Sequence, residues 1–149
     1  MDRPDSHRTP RTPPSILVVD SHAGLLTKTV AVLRGAGYHV VAAVGFDEAR
    51  RALDRIEPTV LVTSVRLGSY NGLHLVVRSR VSRPAMSAIL THDVLDPVLE
   101  DEARKQEATF LVVPCRRQAF LEHVRASVDA AARRSGLGKP VSLISIAES

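Results

Sequence analysis

The strongest constraint on the fold of this chain is a short run, residues 60–65, in which neither face of a strand would be polar. Such a strand is buried on both sides, which is typical of the centre of a parallel sheet. The run ends near Ser64 and opens through a glycine-containing loop into Asn71 and Gly72. Open parallel sheets place ligands and chemistry at the carboxyl ends of their strands. The sequence therefore predicts that Ser64 lies at a functional edge.

Four further apolar runs of similar length alternate with stretches of helical periodicity. Glycines and prolines separate them, as they do at the ends of helices and strands. The predicted strands are residues 15–20, 38–44, 60–65, 87–91 and 109–113, and the predicted helices are residues 23–36, 47–56, 72–82, 97–106 and 116–134. Five strands alternating with five helices predict an α/β fold with a doubly wound, five-stranded parallel sheet and right-handed crossovers.

The helical periodicity also predicts which side chains face the core. In the second helix, Ala49, Leu53 and Ile56 share one face. In the third helix the predicted inward residues are Leu73, Val76, Val77 and Val81, and in the last helix they are Phe120, Leu121, Val124 and Val128. Because only 3% of the residues are aromatic, the core must be built mainly from aliphatic side chains.

The two ends of the chain have a different composition from its middle. Residues 1–14 hold four prolines among Arg, Asp, Ser and Thr, and such a segment cannot bury enough apolar surface to offset its ordering entropy. We expect a disordered arm there, one domain over residues 15–134, and a flexible tail over residues 135–149. The tail includes an apolar stretch, VSLISIA, that could dock as a strand or a helix.

Charge and composition argue against several classes of protein. The formal charge is +4, and 20 basic residues are interspersed with 16 acidic ones rather than gathered in a patch. Nucleic-acid binding is disfavoured, because there is no helix-turn-helix segment and no aromatic stacking platform. No run approaches the roughly 18 apolar residues of a membrane span. With one cysteine and no apolar signal region, we expect a cytoplasmic protein without an internal disulfide.

Four short motifs mark the predicted strand ends. They are VVD at residues 18–20, the turn at residues 67–73, ILT at residues 89–91, and FLxxP at residues 110–114. Their order and spacing resemble the CheY-like receiver domain of bacterial response regulators, over about residues 15–132. The resemblance implies a flavodoxin-like (βα)5 fold and a part in two-component phosphorelay signalling, without an enzymatic activity.

The resemblance also implies a phosphoacceptor pocket at the carboxyl edge of the sheet. Receivers place two adjacent acids after the first strand, an acceptor aspartate after the third, a threonine or serine after the fourth, and a lysine before a proline after the fifth. The corresponding positions here are Asp20, Ser21, Ser64, Thr91 and Val113. Two of them match the family pattern and three depart from it.

The three departures act in the same direction. Ser64 cannot form the labile acyl phosphate of an aspartate. Asp20 remains as the one carboxylate, a poor cage for Mg²⁺, which dehydrates reluctantly. Val113 removes the cation that would balance a phosphoryl group or a carboxylate cluster. We therefore interpret the domain as a degenerate receiver, or pseudo-receiver, with no cofactor and with weak or absent Mg²⁺ binding.

Two further sets of side chains have both a functional and a structural interpretation. Thr91 and Phe110 occupy the positions that move together in receivers on phosphorylation, but we favour ordinary packing and a satisfied hydroxyl for them. His22, His92 and Cys115 follow three strands at the same edge and are ligand types of transition metals. They lie in three separate loops without the paired spacing of a zinc motif, so we favour exposed loop histidines over a metal site.

The resemblance implies a function in protein binding. Receivers commonly use the face formed by the fourth helix, the fifth strand and the fifth helix, and the candidate residues on that face are Glu100, Arg104, Arg117 and Arg125. The leading hypothesis is a single-domain receiver-like protein that binds a histidine kinase or another signalling protein. A homodimer is left open.

Two rival functions are also left open. The altered pocket could sense a small ligand or a metal, which equilibrium dialysis and metal analysis would reveal. Alternatively, a nonstandard residue such as Ser64 could serve as a conventional phosphoacceptor, which acetyl phosphate would label.

Overall fold

The computed structural model describes residues 13–136. The predicted arm, apart from Pro13 and Pro14, lies outside the described residues, and so does the VSLISIA stretch of the predicted tail. The domain boundaries at both ends therefore stay predictions. Within residues 13–136, no helix is long and apolar enough to cross a membrane.

Five parallel strands alternate with five helices. The strands are β1 (Ser15–Val19), β2 (His39–Ala43), β3 (Val60–Ser64), β4 (Ser87–His92) and β5 (Thr109–Val112), and the helices are α1 (Ala23–Gly35), α2 (Phe46–Leu53), α3 (Gly72–Ser82), α4 (Pro97–Lys105) and α5 (Arg117–Ser135). The strand order is β2-β1-β3-β4-β5, and all neighbouring pairs are parallel. The predicted fold class is confirmed.

Helices cover both faces of the sheet. On one face, α1 and α5 pack Leu33 and Val124 against Val18 and Val62. On the other face, α2, α3 and α4 contribute Phe46, Ala49, Leu75, Val76 and Ala103 to a layer with Leu17, Leu61 and Leu90. The first four residues of β3 are each 3% exposed or less. This strand is therefore central, as the absence of a polar face predicted.

Helix α3 is rotated relative to the prediction. Val77 and Val81, predicted to face the core, are 39% and 83% exposed. The buried residues of the helix are Gly72, Leu75, Val76 and Ser79. Gly72 rests directly on the end of β3, because a Cβ built on it would lie 2.0 Å from the carbonyl oxygen of Ser64. This close approach sets the rotation of α3 and turns both valines toward solvent.

Helix α2 is shorter than predicted. It ends at Leu53, whereas the predicted helix continues to Ile56. The N–H of Asp54 is shared between the carbonyl oxygens of Arg50 and Arg51, at 3.2 Å each, which is the tightened geometry common at helix ends. Ile56 is still half-buried in the turn that follows.

The loop between β3 and α3 forms a hairpin that the sequence did not indicate. Arg66–Leu67 and Tyr70–Asn71 pair as two very short antiparallel strands. Gly68 turns the chain with a φ of 66°, which glycine adopts without steric cost. The ring of Tyr70 stacks on that of Phe46, with centroids 4.4 Å apart. The hairpin is thereby held against the start of α2.

Candidate functional site

The predicted pocket residues lie together at the carboxyl edge of the sheet. The strands β1, β3 and β4 end side by side, since Val19 pairs with Thr63 and Ser64 pairs with Thr91. The residues that the structure brings to this edge are Asp20, Ser21, Ser64, Thr91 and Val113. The strand ends alone were enough to place all five.

Two serine hydroxyls converge on one backbone carbonyl at this edge. The Oγ of Ser21 and the Oγ of Ser64 each donate a hydrogen bond to the carbonyl oxygen of Arg66, at 3.2 Å in both cases. An ionised carboxylate at either position could not donate and would face the carbonyl oxygen instead. The two serines therefore form a neutral arrangement that ties β1 and β3 to the hairpin.

Backbone contacts fix the edge to α3. The N–H of Val65 donates to the carbonyl oxygen of Thr91, and the N–H of Gly72 donates to that of Val65, both at 2.8 Å. The Oδ1 of Asn71 accepts from the N–H of Leu73 at 2.7 Å, so Asn71 is the predicted helix cap. Backbone hydrogen bonds therefore connect the end of β3 both to β4 and to the start of α3.

Asp20 is the one carboxylate among the five pocket residues. Its Oδ1 accepts a hydrogen bond from the N–H of His22 at 2.9 Å. The Nδ1 of His22 accepts in turn from the N–H of Leu25 at 3.1 Å and caps α1. Mg²⁺ requires an octahedral set of oxygen ligands, and one carboxylate beside two hydroxyls that already bond to a carbonyl is a poor fit. The donor set of this edge does not match a magnesium site.

Three of the five pocket residues line a cleft of about 260 Å³ between α1 and the loop from β5 to α5. They are Asp20, Thr91 and Val113, and the Val113–Pro114 peptide bond in that loop is cis. The two serines are not among the lining residues. The edge thus has two parts: the two serines, whose hydroxyls both bond to the carbonyl oxygen of Arg66, and an open cleft beside α1.

The structure does not bring the three candidate metal ligands together. His22 caps α1. His92 is only 8% exposed and is the last residue of β4, so the expectation of an exposed loop histidine is wrong at this position. The strand continues one residue further than predicted and turns His92 into the core beside Phe110. Cys115 is exposed on the rim of the cleft. Within residues 13–136, no three His, Cys, Asp or Glu side chains are grouped to hold a metal ion.

Thr91 and Phe110 lie on opposite faces of the sheet. Thr91 lines the cleft, on the face covered by α1 and α5. Phe110 packs on the face covered by α2, α3 and α4, and its ring meets that of His92 edge-on, with centroids 6.2 Å apart. Phe110 is therefore neighbour to His92 rather than to Thr91 in this conformation.

Four residues of α1 line the cleft and were not predicted to belong to a site: Leu25, Lys28, Thr29 and Val32. The sequence did indicate Leu25, because it is an apolar residue next to Leu26, which is buried, yet Leu25 is 47% exposed. The role of the Arg66 carbonyl could not be predicted, because the types of side chain in a sequence do not show in which direction a backbone carbonyl points.

No family model matches the chain. Among curated proteins, the alginate biosynthesis transcriptional regulatory protein AlgB of Pseudomonas putida is 29% identical over 102 residues. The match covers 67% of this chain and 22% of AlgB. The chain therefore spans about a fifth of the length of the curated relatives that it matches.

Solved receiver domains share the architecture. The signal receiver domain of an HD domain-containing protein from Pseudomonas fluorescens Pf-5 has a TM-score of 0.76 at 24% identity, over 81% of this chain and 98% of that one. A CheY-like receiver from Methanospirillum hungatei JF-1 also reaches 0.76, at 19% identity over 83% and 99%. A Burkholderia pseudomallei response regulator with a phosphorylated aspartic acid, calcium ion and citrate reaches 0.71, at 20% identity over 86% and 76%. The chain has the fold of the CheY-like receiver domains of response regulators.

Proposed function

We propose that this chain is a receiver-like signalling module that works without phosphorylation and acts by binding another protein. The observation that carries the proposal is the pair of serine hydroxyls on the Arg66 carbonyl, at the strand end where the resemblance places an acceptor aspartate. The receiver fold supports the signalling role. Similarity to part of a transcriptional regulatory protein supports it further.

The chemistry of the edge argues against phosphoryl transfer. Catalysis of this reaction depends on positioned cations that balance the developing charge on the phosphoryl oxygens. Val113 supplies none, and Asp20, the one carboxylate among the five pocket residues, accepts from the N–H of His22. A phosphate ester on Ser64 would also be far more stable to water than an acyl phosphate, so it would not be lost by spontaneous hydrolysis as an acyl phosphate is.

We expect no phosphoryl group to be transferred to the protein from acetyl phosphate or from a histidine kinase in the presence of Mg²⁺. Intact-protein mass spectrometry would measure this, with a receiver that has the complete acidic pocket as a positive control. Stoichiometric labelling that requires Mg²⁺ would contradict the proposal and favour a conventional phosphoacceptor on a nonstandard residue.

The surface formed by α4, β5 and α5 is our candidate for the site at which the partner protein binds. Val98 on α4 and Val112 on β5 are 72% and 36% exposed, and Leu95, in the loop that precedes α4, is 68% exposed. Exposed apolar side chains are a feature of binding surfaces. Of the candidate charged residues, Arg117 and Arg125 are exposed and Glu100 is half-buried.

The charged side of α4 is partly neutralised within the helix. Arg104 is exposed, but its guanidinium bonds to Asp101 at 3.2 Å. The carboxylates of Glu102 and Asp101 raise the pKa of Lys105 above its ordinary value. We therefore propose that the apolar side chains of this surface contribute most of the binding energy and that the arginines set its orientation.

We expect Val98→Asp to weaken binding of a signalling partner by at least about tenfold, because it places a charge in an apolar contact. Val81→Asp is the matched control, since Val81 is also an exposed helical valine but lies on α3. A histidine kinase recovered with the parent chain would be titrated against both variants. Equal binding by both would contradict this surface, and concentration-dependent sedimentation lost only in Val98→Asp would assign the surface to a homodimer instead.

A further inference from the structure

We propose that the cleft between α1 and the loop from β5 to α5 binds a small amphipathic anion, with an apolar ring or short chain and one carboxylate-type group. The proposal does not depend on the partner surface or on the absence of phosphorylation. It rests on the lining of the cleft, its charges and its size.

The interior of the cleft is apolar. Its floor is made by the sheet residues Val18 and Val62, which are 2% and 3% exposed, and Phe120 of α5 forms part of a wall. Leu25 stands at the rim on α1 and is 47% exposed. Burial of an apolar ligand group would remove this side chain from water, which is favourable at about 25 cal/mol per Å².

Charge complementarity selects an anion. Two cationic side chains line the cleft from opposite walls, Lys28 on α1 and Arg117 at the start of α5. Neither forms an ion pair with another residue in the range 13–136. Asp20 is the one acidic residue of the lining, and its Oδ1 already accepts from the N–H of His22. An anionic group between the two cations would meet attraction from both sides.

The hydroxyl of Thr91 adds a polar contact inside the cleft. Its distance to the carbonyl oxygen of Thr63 is 3.5 Å, at the weak end of hydrogen-bond geometry. A ligand oxygen could therefore replace that bond at little cost. At about 260 Å³, the cleft lies just below the range of drug-sized pockets, and it has the volume of about nine water molecules in the liquid. A compact ligand fits better than a nucleotide.

The test is a titration of the isotope-labelled protein with phenylbutyrate, followed by amide NMR. Phenylbutanol and phenylbutylamine are matched probes with the same apolar body and a neutral or a positive end. We expect shifts confined to the cleft residues and affinities in the order anion, alcohol, amine. Equal affinity of the three probes, or shifts spread over other surfaces, would overturn the proposal.

Two pairs of variants locate the binding. Val113→Phe should fill the cleft and lower the affinity for phenylbutyrate by at least about tenfold, whereas Val81→Phe, at an exposed position of α3, should not. Lys28→Gln should lower it about two- to fivefold, and Arg51→Gln, an exposed cation on α2, should leave it unchanged.

If Val113→Phe does not fold, the comparison of Lys28→Gln with Arg51→Gln still tests the proposal, because Lys28 is exposed and its replacement should not affect folding. Loss of affinity in neither cleft variant would refute the cleft as the site. These measurements are separate from phosphoryl labelling. Absence of phenylbutyrate binding would therefore not contradict the proposed function, and phosphorylation of the chain would not contradict ligand binding in the cleft.

Discussion

Replacing Gly72 by alanine should destabilise the protein by about 3 kcal/mol or more, the upper range for overpacking of a well-packed site. The added Cβ would lie 2.0 Å from the carbonyl oxygen of Ser64 and 2.9 Å from the Oγ1 of Thr63. The carbonyl oxygen of Ser64 is a backbone atom of the central strand and cannot move without disturbing the sheet, whereas the hydroxyl of Thr63 could move only by rotation of its side chain. Chemical denaturation followed by circular dichroism would measure the change in the free energy of unfolding.

Gly35→Ala is the matched control for this prediction. Gly35 is the last residue of α1, and a Cβ built on it meets no atom within 4 Å. Alanine is favoured over glycine in helices by roughly 0.5–1 kcal/mol, so this variant should be neutral or slightly more stable. If Gly72→Ala behaved like Gly35→Ala, the close approach of α3 to β3 would be wrong.

Ser64→Asp, which nominally restores the acceptor of a receiver, should destabilise the protein at neutral pH by up to about 3 kcal/mol. The introduced carboxylate would stand one strand away from Asp20, and two like charges about 5 Å apart at an effective dielectric near 20 repel by about 3 kcal/mol before relaxation. It would also lose the hydrogen bond that Ser64 donates to the carbonyl oxygen of Arg66. Val113 offers no compensating cation.

The pH dependence of this effect has a defined sign. Repulsion would raise the pKa of the introduced carboxyl group in the folded state above its unfolded value. The electrostatic penalty is therefore complete at a pH above the raised folded pKa, and it fades as the pH falls toward the unfolded value. Thermal melts of parent and variant at pH 5 and pH 7.5 should differ more at the higher pH.

Ser64→Asn separates charge from shape, because asparagine has nearly the size of aspartate but stays neutral. Its cost should be smaller and the same at both pH values. Adding Ser21→Asp to Ser64→Asp should reduce stability further without metal but create three carboxylates, so that Mg²⁺ then stabilises the double variant more than the parent. A Ser64→Asp protein as stable as the parent at pH 7.5 would mean that Ser64 does not face Asp20.

The sheet and its helices were predictable because each strand and helix has its own local pattern of apolar residues in the sequence. Glycines and prolines separate the elements, and the run at 60–65 has no polar face, which is enough to place β3 in the centre. The rotation of α3 was not predictable, since it depends on the contact of Gly72 with the carbonyl of Ser64. A contact between two backbones leaves no periodic pattern in the side chains.

The residues at the carboxyl edge of the sheet were predictable, but the hydrogen bonds that they form were not. Strand ends alone place Asp20, Ser64 and Thr91 together. The hydrogen bonds from Ser21 and Ser64 to the carbonyl oxygen of Arg66 depend on the hairpin. Its two strands have only two residues each, which is too short for a pattern in the sequence to predict them. The buried position of His92 was missed because a histidine directly after an apolar run usually marks the start of a loop.

Coverage of one face of the sheet by α1 and α5 has a consequence for the growing chain on the ribosome. The elements of the other face emerge in succession, and each can pack as soon as its strand is made. The face with Ile16, Val60 and Ile89 receives α1 early but remains half open until α5 has been synthesised, more than 80 residues after α1 ends at Gly35. Nascent chains that stop before residue 117 should therefore expose an aliphatic surface to chaperones and to one another.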